Sequence, residues 1–326
     1  MKHVSILVPE GDASVTNIEG TYQILSRVND FLEEAGRDPI FKVELVGMNR
    51  ETKMKRGLFS VHPDVLVKDL AHSDLIFIPA VHGDMNEILR VNKPLLDWVV
   101  KQYENKAAVA CLCIGAFLLA GTGLLNGRQC ATHWEFAERF RNMFPEVELV
   151  EDKIITDDNN LYSSGGAYSW LNLILYIVEK YAGREIALRC AKGFQVDIDR
   201  DSQSPFIIFK GQKNHQDEAV KQVQDYIEKN VQQRITVGEL ASIVALGRRN
   251  LERRFKKATS NTVVEYMQRV KIEAVKKSLE SSRLGVNEAM DKVGYSDPKT
   301  FRVVFKKVTG LSPLQYRSKY NREFVA

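Results

Sequence analysis

The chain has 326 residues, 27% of them charged, with four cysteines and a formal net charge of +4. That length allows two or three domains with real cores, and the lack of any apolar run of about 18 residues argues against a helical membrane span. Cys111, Cys113, Cys130 and Cys190 have the spacing of neither a disulfide framework nor paired metal ligands, so a reducing compartment is expected and no cofactor or metal is.

The opening residues 1–9 are too short and too strand-like for a secretory leader, which points to a cytoplasmic protein. Short runs rich in Val, Ile, Leu and Phe recur at 3–9, 41–47, 74–79 and 107–113. They read as buried parallel strands. Amphipathic stretches at 16–35 and 85–103 lie between them. Strands alternating with helices predict a doubly wound α/β sandwich with helices on both sheet faces. Sites in such sheets form beyond the carboxyl ends of the strands.

One strand end carries chemistry. Residues 107–117 run from an apolar strand through Cys113-Ile114-Gly115 into a helix, where the helix N-terminus is expected to favour a thiolate. Twenty residues on, Ala131-Thr132-His133-Trp134 puts a histidine at another strand end, so Cys113 and His133 are a candidate nucleophile–base pair. His82, in Pro79-Ala80-Val81-His82-Gly83-Asp84, is a weaker third site candidate. Cys111 reads as core, and Cys130 and Cys190 as structural.

The segments Cys113–Phe117, 123–128 and Thr132-His133-Trp134 resemble the PfpI/ThiJ branch of the class I glutamine amidotransferase-like superfamily over residues 1–200. The resemblance implies a flavodoxin-like sandwich with a cysteine at a nucleophile elbow and a histidine after the next strand. Two departures stand out. Enzymatic members supply an acidic partner, but here Ser14 or Thr16 falls at that place, with Glu10, Asp12 and Glu19 out of register. The usual strand-end Pro-Gly-Gly is Pro79-Ala80-Val81, which alters the oxyanion-hole backbone. Glu135, after Trp134, is expected to point away on a helix. Cys113, His133 and His82 therefore read as ligand-pocket residues, with no catalytic residue assigned; catalysis and inherited packing are the alternatives for Cys113.

Residues 201–215 read as a linker. Its apolar tetrad Phe206-Ile207-Ile208-Phe209 is expected to be a short strand or an arm on the first domain. Residues 216–326 hold 22 Lys/Arg against 13 Asp/Glu, and residues 1–215 hold 24 against 29. A basic domain joined to a mildly acidic one suits nucleic-acid binding.

The basic part contains a faint copy of itself. Arg254-Phe255-Lys256-Lys257-Ala258-Thr259 recurs as Val304-Phe305-Lys306-Lys307-Val308-Thr309, and the pairs Leu251/Phe301 and Tyr266/Tyr316 keep the same offset of 50 residues. Thr236 and Glu239 have capping-box spacing before one short helix, and a second runs over 248–258. A long helix is predicted over 263–279. Asn287 is expected to cap a further short helix, and Pro298 to open the helix after it. Each unit is a helix-turn-helix, and two such units suit the major groove of DNA, which recurs about every 34 Å.

Val293-Gly294-Tyr295-Ser296-Asp297-Pro298-Lys299-Thr300-Phe301, with 305–307 and 309–317, resembles the AraC/XylS DNA-binding domain. Val303, where that family often has Arg, and Met290, where it has a small alanine, depart from the pattern. Residues outside the apolar anchors are the DNA-binding candidates: Arg248, Arg249, Asn250 and Arg253 in the first unit, and Lys299, Thr300, Arg302 and Lys306 in the second. Glu252 is placed to orient Arg248 or Arg249.

The expected protein is a sequence-specific DNA-binding transcriptional regulator, its N-terminal domain sensing a small-molecule effector, mediating dimerisation, or both. Promoter DNA, a homodimeric partner copy and RNA polymerase are the partners such a regulator implies, and no membrane is. A cysteine-dependent amidase or hydrolase tethered to DNA, and a pure dimerisation scaffold, are the competing readings.

Overall fold

The buried runs of the first two hundred residues lie side by side in one sheet. In the computed structural model, which describes residues 1–321, these are β1 (Lys2–Val8), β2 (Phe41–Gly47), β3 (Val65–Leu66), β4 (Leu75–Ile78), β5 (Ala108–Cys111), β6 (Ile155–Asp158) and β7 (Leu161–Ser164). Their spatial order is β6-β7-β5-β4-β1-β2-β3. Neighbours are parallel except in the β6–β7 hairpin. β4 and β5 are buried at every position, which requires cover on both faces. Helices α1 (Val15–Glu34), α6 (Trp170–Ala182) and α7 (Arg184–Gly193) pack together as one layer, and α2 (Met85–Val91), α3 (Lys93–Glu104) and α4 (Ala116–Gly121) as the other. A further helix, α5 (Ala137–Met143), follows the His133 loop.

From β1 the chain builds outward to β2 and β3, then returns to the far side of β1 for β4 and β5. The crevice left by that reversal lies at the carboxyl ends of β1 and β4. Just beyond β5 the chain turns at Cys113, whose φ of 56° lies in the left-handed region. Non-glycine residues adopt such angles at a cost of about 1–3 kcal/mol unless the surroundings hold them there. They do here: the Cys113 N–H donates to Ser164 Oγ at 3.0 Å, and Thr132 Oγ1 donates to the Cys113 carbonyl at 3.1 Å. Two residues on, a Cβ at Gly115 would stand 2.6 Å from the Ile78 oxygen and 2.7 Å from that of Pro79. Only glycine lets this turn sit on the end of β4.

The chain divides into two compact units after Gln203. The arm 206–209, expected on the first domain, belongs to the second unit. It forms no strand: Ser204–Phe206 is a single 3-10 turn, the Phe209 ring stands edge-on to Tyr266 at 5.2 Å, and Lys276 Nζ donates to the Ile207 carbonyl at 2.6 Å. Phe209 packs against the helical core, whereas Phe206 and Ile208 stay exposed.

The second unit comprises α8 (Glu218–Lys229), α9 (Val237–Ile243), α10 (Arg248–Thr259), α11 (Val263–Ser281), α12 (Val286–Asp291), α13 (Pro298–Thr309) and α14 (Pro313–Tyr320). It has two cores. One gathers Val223, Leu240, Leu251, Phe255 and Tyr266, and the other Ile272, Leu279, Met290, Phe301, Phe305 and Tyr316. The first half of α11 serves the first core and its second half the other. Met290 is buried in the second core, where its flexible thioether fills space beside the aromatic rings.

The sequence repeat is a structural one. Thr259 and Thr309 each donate a hydroxyl to the carbonyl four residues back, at 2.8 and 2.9 Å. Ser260 and Gly310 both end their helices with positive φ. Thr262 and Ser312 both open capping boxes, as Thr236 does for α9. Tyr266 and Tyr316 each hydrogen-bond a glutamate, Glu228 and Glu280 respectively. One cap differs from expectation. α12 begins two residues early, with Gly285 as its N-cap and Asn287 within the first turn, because the Glu288 carboxylate accepts the Gly285 N–H. Pro298 is the first residue of α13, after an Asp297 cap.

Candidate functional site

Loops from five places meet at the crevice. A cavity of ≈ 340 Å³ is lined by Ser14, Thr16 and Asn17 after β1, Ala80 and His82 after β4, and Cys113 and Ile114 after β5. His133, Glu135 and Phe136, and then Ala167, Tyr168 and Trp170 after β7, complete it. Cys113, His133 and His82 are thus brought to one cavity. His82 arrives there on a two-residue strand paired through Asp12.

The chemistry of these groups departs from a nucleophile–base pair. Burial pushes the Cys113 thiol up to about 12, against a small opposing pull from the Ile114 N–H. The expected thiolate is not favoured, because α4 is short and the desolvation of a buried sulfur outweighs nearby N–H groups. His133 caps the 3-10 turn Trp134–Phe136, its Nδ1 accepting the Glu135 N–H at 3.1 Å. In the neutral ring this leaves the proton on Nε2. Burial also holds the His133 pKa below its ordinary value, with Glu135 opposing and His82 adding to the shift. His82 is lowered as well, by burial and then Lys55, against Asp12.

Glu135 corrects another expectation. A 3-10 turn, rather than an α-helix, carries it, and it lines the cavity. Of the other nearby acids, Glu10 accepts from Asn49 Nδ2 at 2.7 Å, Asp12 pairs with Lys55 at 3.0 Å, and Glu19 is exposed on α1 and does not line the cavity. Where an acid was sought, the cavity offers Ser14, Thr16 and the buried Asn17 amide. Asn17 Oδ1 accepts the Ala80 N–H at 3.0 Å, so a backbone donor at the altered strand end is already in use. Iodoacetamide at pH 7–8 is therefore expected to leave Cys113 unmodified in the folded protein, with alkylation rising only as pH nears 12. Peptide mass mapping reads this directly, and rapid labelling at neutral pH would restore the enzyme reading.

Sequence reasoning overlooked Gln203. Its side chain is 1% exposed. Nε2 donates to the carbonyls of Thr132 at 2.9 Å, Glu151 at 2.8 Å and Lys153 at 3.3 Å, and Oε1 accepts the Gly166 N–H at 2.9 Å. One amide thus fastens the His133 loop to the loop carrying Ala167 and Tyr168. A Cβ at Gly165 would stand 2.8 Å from both Gln203 Nε2 and the Lys153 oxygen, so the small residues there make room for it.

Two family profiles match the chain, one on either side of Gln203. The DJ-1/PfpI profile matches residues 5–180 and a helix-turn-helix profile matches residues 240–319. The chain belongs to the DJ-1/PfpI family. Among relatives, the HTH-type transcriptional regulator CdhR of Pseudomonas aeruginosa is 24% identical, over 79% of this chain and 76% of that protein. GbdR of the same species, also an HTH-type transcriptional regulator, is 22% identical over 79% and 69% respectively. A solved protein of Vibrio parahaemolyticus, described as a transcriptional regulator, superposes with a TM-score of 0.53 at 25% identity. It covers 60% of this chain and 99% of its own. A ThiJ/PfpI family protein of Pseudomonas syringae, at 15% identity and TM-score 0.50, shares the fold.

In the helix-turn-helix domain, Arg248, Arg249, Asn250 and Arg253 on α10 and Lys299, Thr300, Arg302 and Lys306 on α13 are all exposed. Four have local partners, Arg253 donating through Nη2 to Asn250 Oδ1 at 3.1 Å. Arg248 Nε donates to Glu252 at 3.1 Å, and Thr300 gives its hydroxyl to the Asp297 cap. Arg254, on the flank of α10, is pinned to Asp217 by two hydrogen bonds of 2.8 and 2.6 Å.

Proposed function

We propose that the protein is a sequence-specific DNA-binding transcriptional regulator whose DJ-1/PfpI domain responds to a small polar molecule. The observation that carries this reading is the doubled helix-turn-helix, with two cationic helices in equal register, each on its own core. At about 1.5 Å per residue, the 19 residues of α11 span about 28 Å, close to the ~34 Å recurrence of the major groove. α10 and α13 enter successive grooves of promoter DNA. Arg249, Asn250 and Arg253 meet base edges, whereas Arg248, Lys299, Arg302 and Lys306 serve chiefly phosphates and Thr300 supports the helix start.

The effector site is the cavity around Cys113, His133 and His82. Hydroxyl groups of Ser14 and Thr16, the Asn17 amide and two neutral imidazoles offer hydrogen bonds, and Trp170 and Tyr168 offer ring faces. A sensor, rather than a cysteine enzyme, is supported by the protonated thiol and by His133 acting as a cap. Gln203 is the last residue of the DJ-1/PfpI unit and immediately precedes the arm packed on the helical unit. A ligand that shifts the His133 or Tyr168 loop moves the hydrogen-bond partners of Gln203, and so the start of that arm. Coupling of this kind is typically worth about 1–3 kcal/mol. The protein acts as a homodimer on paired sites and meets RNA polymerase there.

The test is capture of genomic fragments by the full chain at two salt concentrations, followed by sequencing. Enrichment of a few related sites that persists at the higher salt is expected. Uniform binding that vanishes with salt would reduce the reading to phosphate attraction.

A further inference from the structure

On α13 the side chains of Phe301, Val304 and Phe305 are buried in the second core. Lys299, Val303 and Lys306, spaced by four and three residues, share the opposite face. Val303 therefore sits at the middle of the outward face, between two lysines, and is 63% exposed. At the same register of α10, 50 residues earlier, stands Arg253. Its Nη2 donates to Asn250 Oδ1 at 3.1 Å, which holds the guanidinium as an oriented fork. The two units are thus alike in fold and unlike at the centre of the surface that meets DNA.

We propose that Val303 reads the 5-methyl group of a thymine, so that the second unit selects a T·A pair at one step of each site. The proposal rests on the DNA-binding reading above and goes beyond it by naming the base and the atom recognised. Val303 has neither donor nor acceptor. Against a G·C pair it covers the guanine O6 or cytosine N4 edge and returns no hydrogen bond. Against thymine it removes a methyl group from water, the one apolar feature a base pair presents in the major groove. The flanking Lys299 and Lys306 hold phosphates on either side, which keeps the valine in the groove. Arg253, in the equivalent place of the first unit, suits the O6 and N7 acceptors of guanine. A binding site is therefore chemically lopsided, with a guanine contact under one unit and a thymine methyl under the other.

The experiment uses the full chain and a site selected by genomic capture, with each thymine replaced in turn by deoxyuridine, which lacks only the methyl. One replacement under the second unit is expected to weaken wild-type binding about fourfold, the transfer advantage of one methyl group. Val303→Ala is expected to bind the thymine and deoxyuridine versions of that site equally, with the salt dependence of binding unchanged because the phosphate contacts remain. The proposal is overturned if no thymine under the second unit is sensitive, or if the sensitivity persists in Val303→Ala. Selection of no site at all would instead overturn the regulator reading, and this proposal with it.

Discussion

Arg249→Ala combined with Arg253→Ala is expected to lower affinity for a selected operator by roughly a hundredfold while leaving binding to unrelated duplex nearly intact. Each bidentate arginine contact to a base is worth about 1–3 kcal/mol of discrimination. Both side chains are exposed on α10, outside the Leu251–Phe255 core contact, so thermal unfolding of the variant should match the parent. Lys299→Ala and Lys306→Ala give the contrasting signature: weaker binding to all sequences, with the salt slope reduced by about one for each phosphate no longer neutralised. Titration of operator and scrambled duplex at several salt concentrations separates the two. A double arginine variant that keeps operator affinity within about threefold of the parent would remove α10 from base readout.

Arg254 sharpens that comparison, because it is equally cationic and only one residue further along. Its two bonds to Asp217 tie α10 to the start of α8, where Asp217 also caps the helix by accepting the Val220 N–H at 3.1 Å. Its arginine neighbour Arg253 lies on an exposed face and donates locally to Asn250. Charge along α10 is thus divided between an arginine tied into the domain and one left on the exposed face proposed to meet DNA.

The same division explains what the sequence made legible. Anchors four residues apart, a 50-residue repeat and strong caps are local signals, and both helix-turn-helix units follow from them. The Cys113 turn and the His133 strand end were visible for the same reason: small residues and the elbow pattern sit within a few positions of each other. Asn287 misled because it is a good capping residue, whereas a glycine one turn from Glu288 lets the glutamate supply the cap from inside the helix. Asn17 went unnoticed because an acid was sought there, and the amide meets the need of the Ala80 N–H instead. The state of the Cys113 thiol depends on burial, to which the whole sheet contributes. Gln203 is the extreme case. Its partners Thr132, Glu151, Lys153 and Gly166 lie between 37 and 71 positions away, so no local pattern marks it.

That remoteness makes Gln203 the most sensitive single position in the coupling scheme. Gln203→Ala strands the buried Gly166 N–H and removes the donor shared by the carbonyls of Thr132, Glu151 and Lys153. Each buried group left without a partner costs about 1–3 kcal/mol, so a loss of roughly 3 kcal/mol in unfolding free energy is expected. Gln203→Glu is expected to be worse despite equal size, since a carboxylate oxygen would then face the carbonyls of Thr132, Glu151 and Lys153 with no proton to offer. These losses alone would mark only a structural residue. The distinguishing readout is operator affinity with and without an effector found through the captured sites. In Gln203→Ala, assayed below its unfolding temperature, operator binding should persist while its response to effector disappears, because the loops around the cavity no longer share a fastener with the start of the arm. An effector response of parental size in a folded Gln203→Ala protein would mean that the signal leaves the cavity by another route.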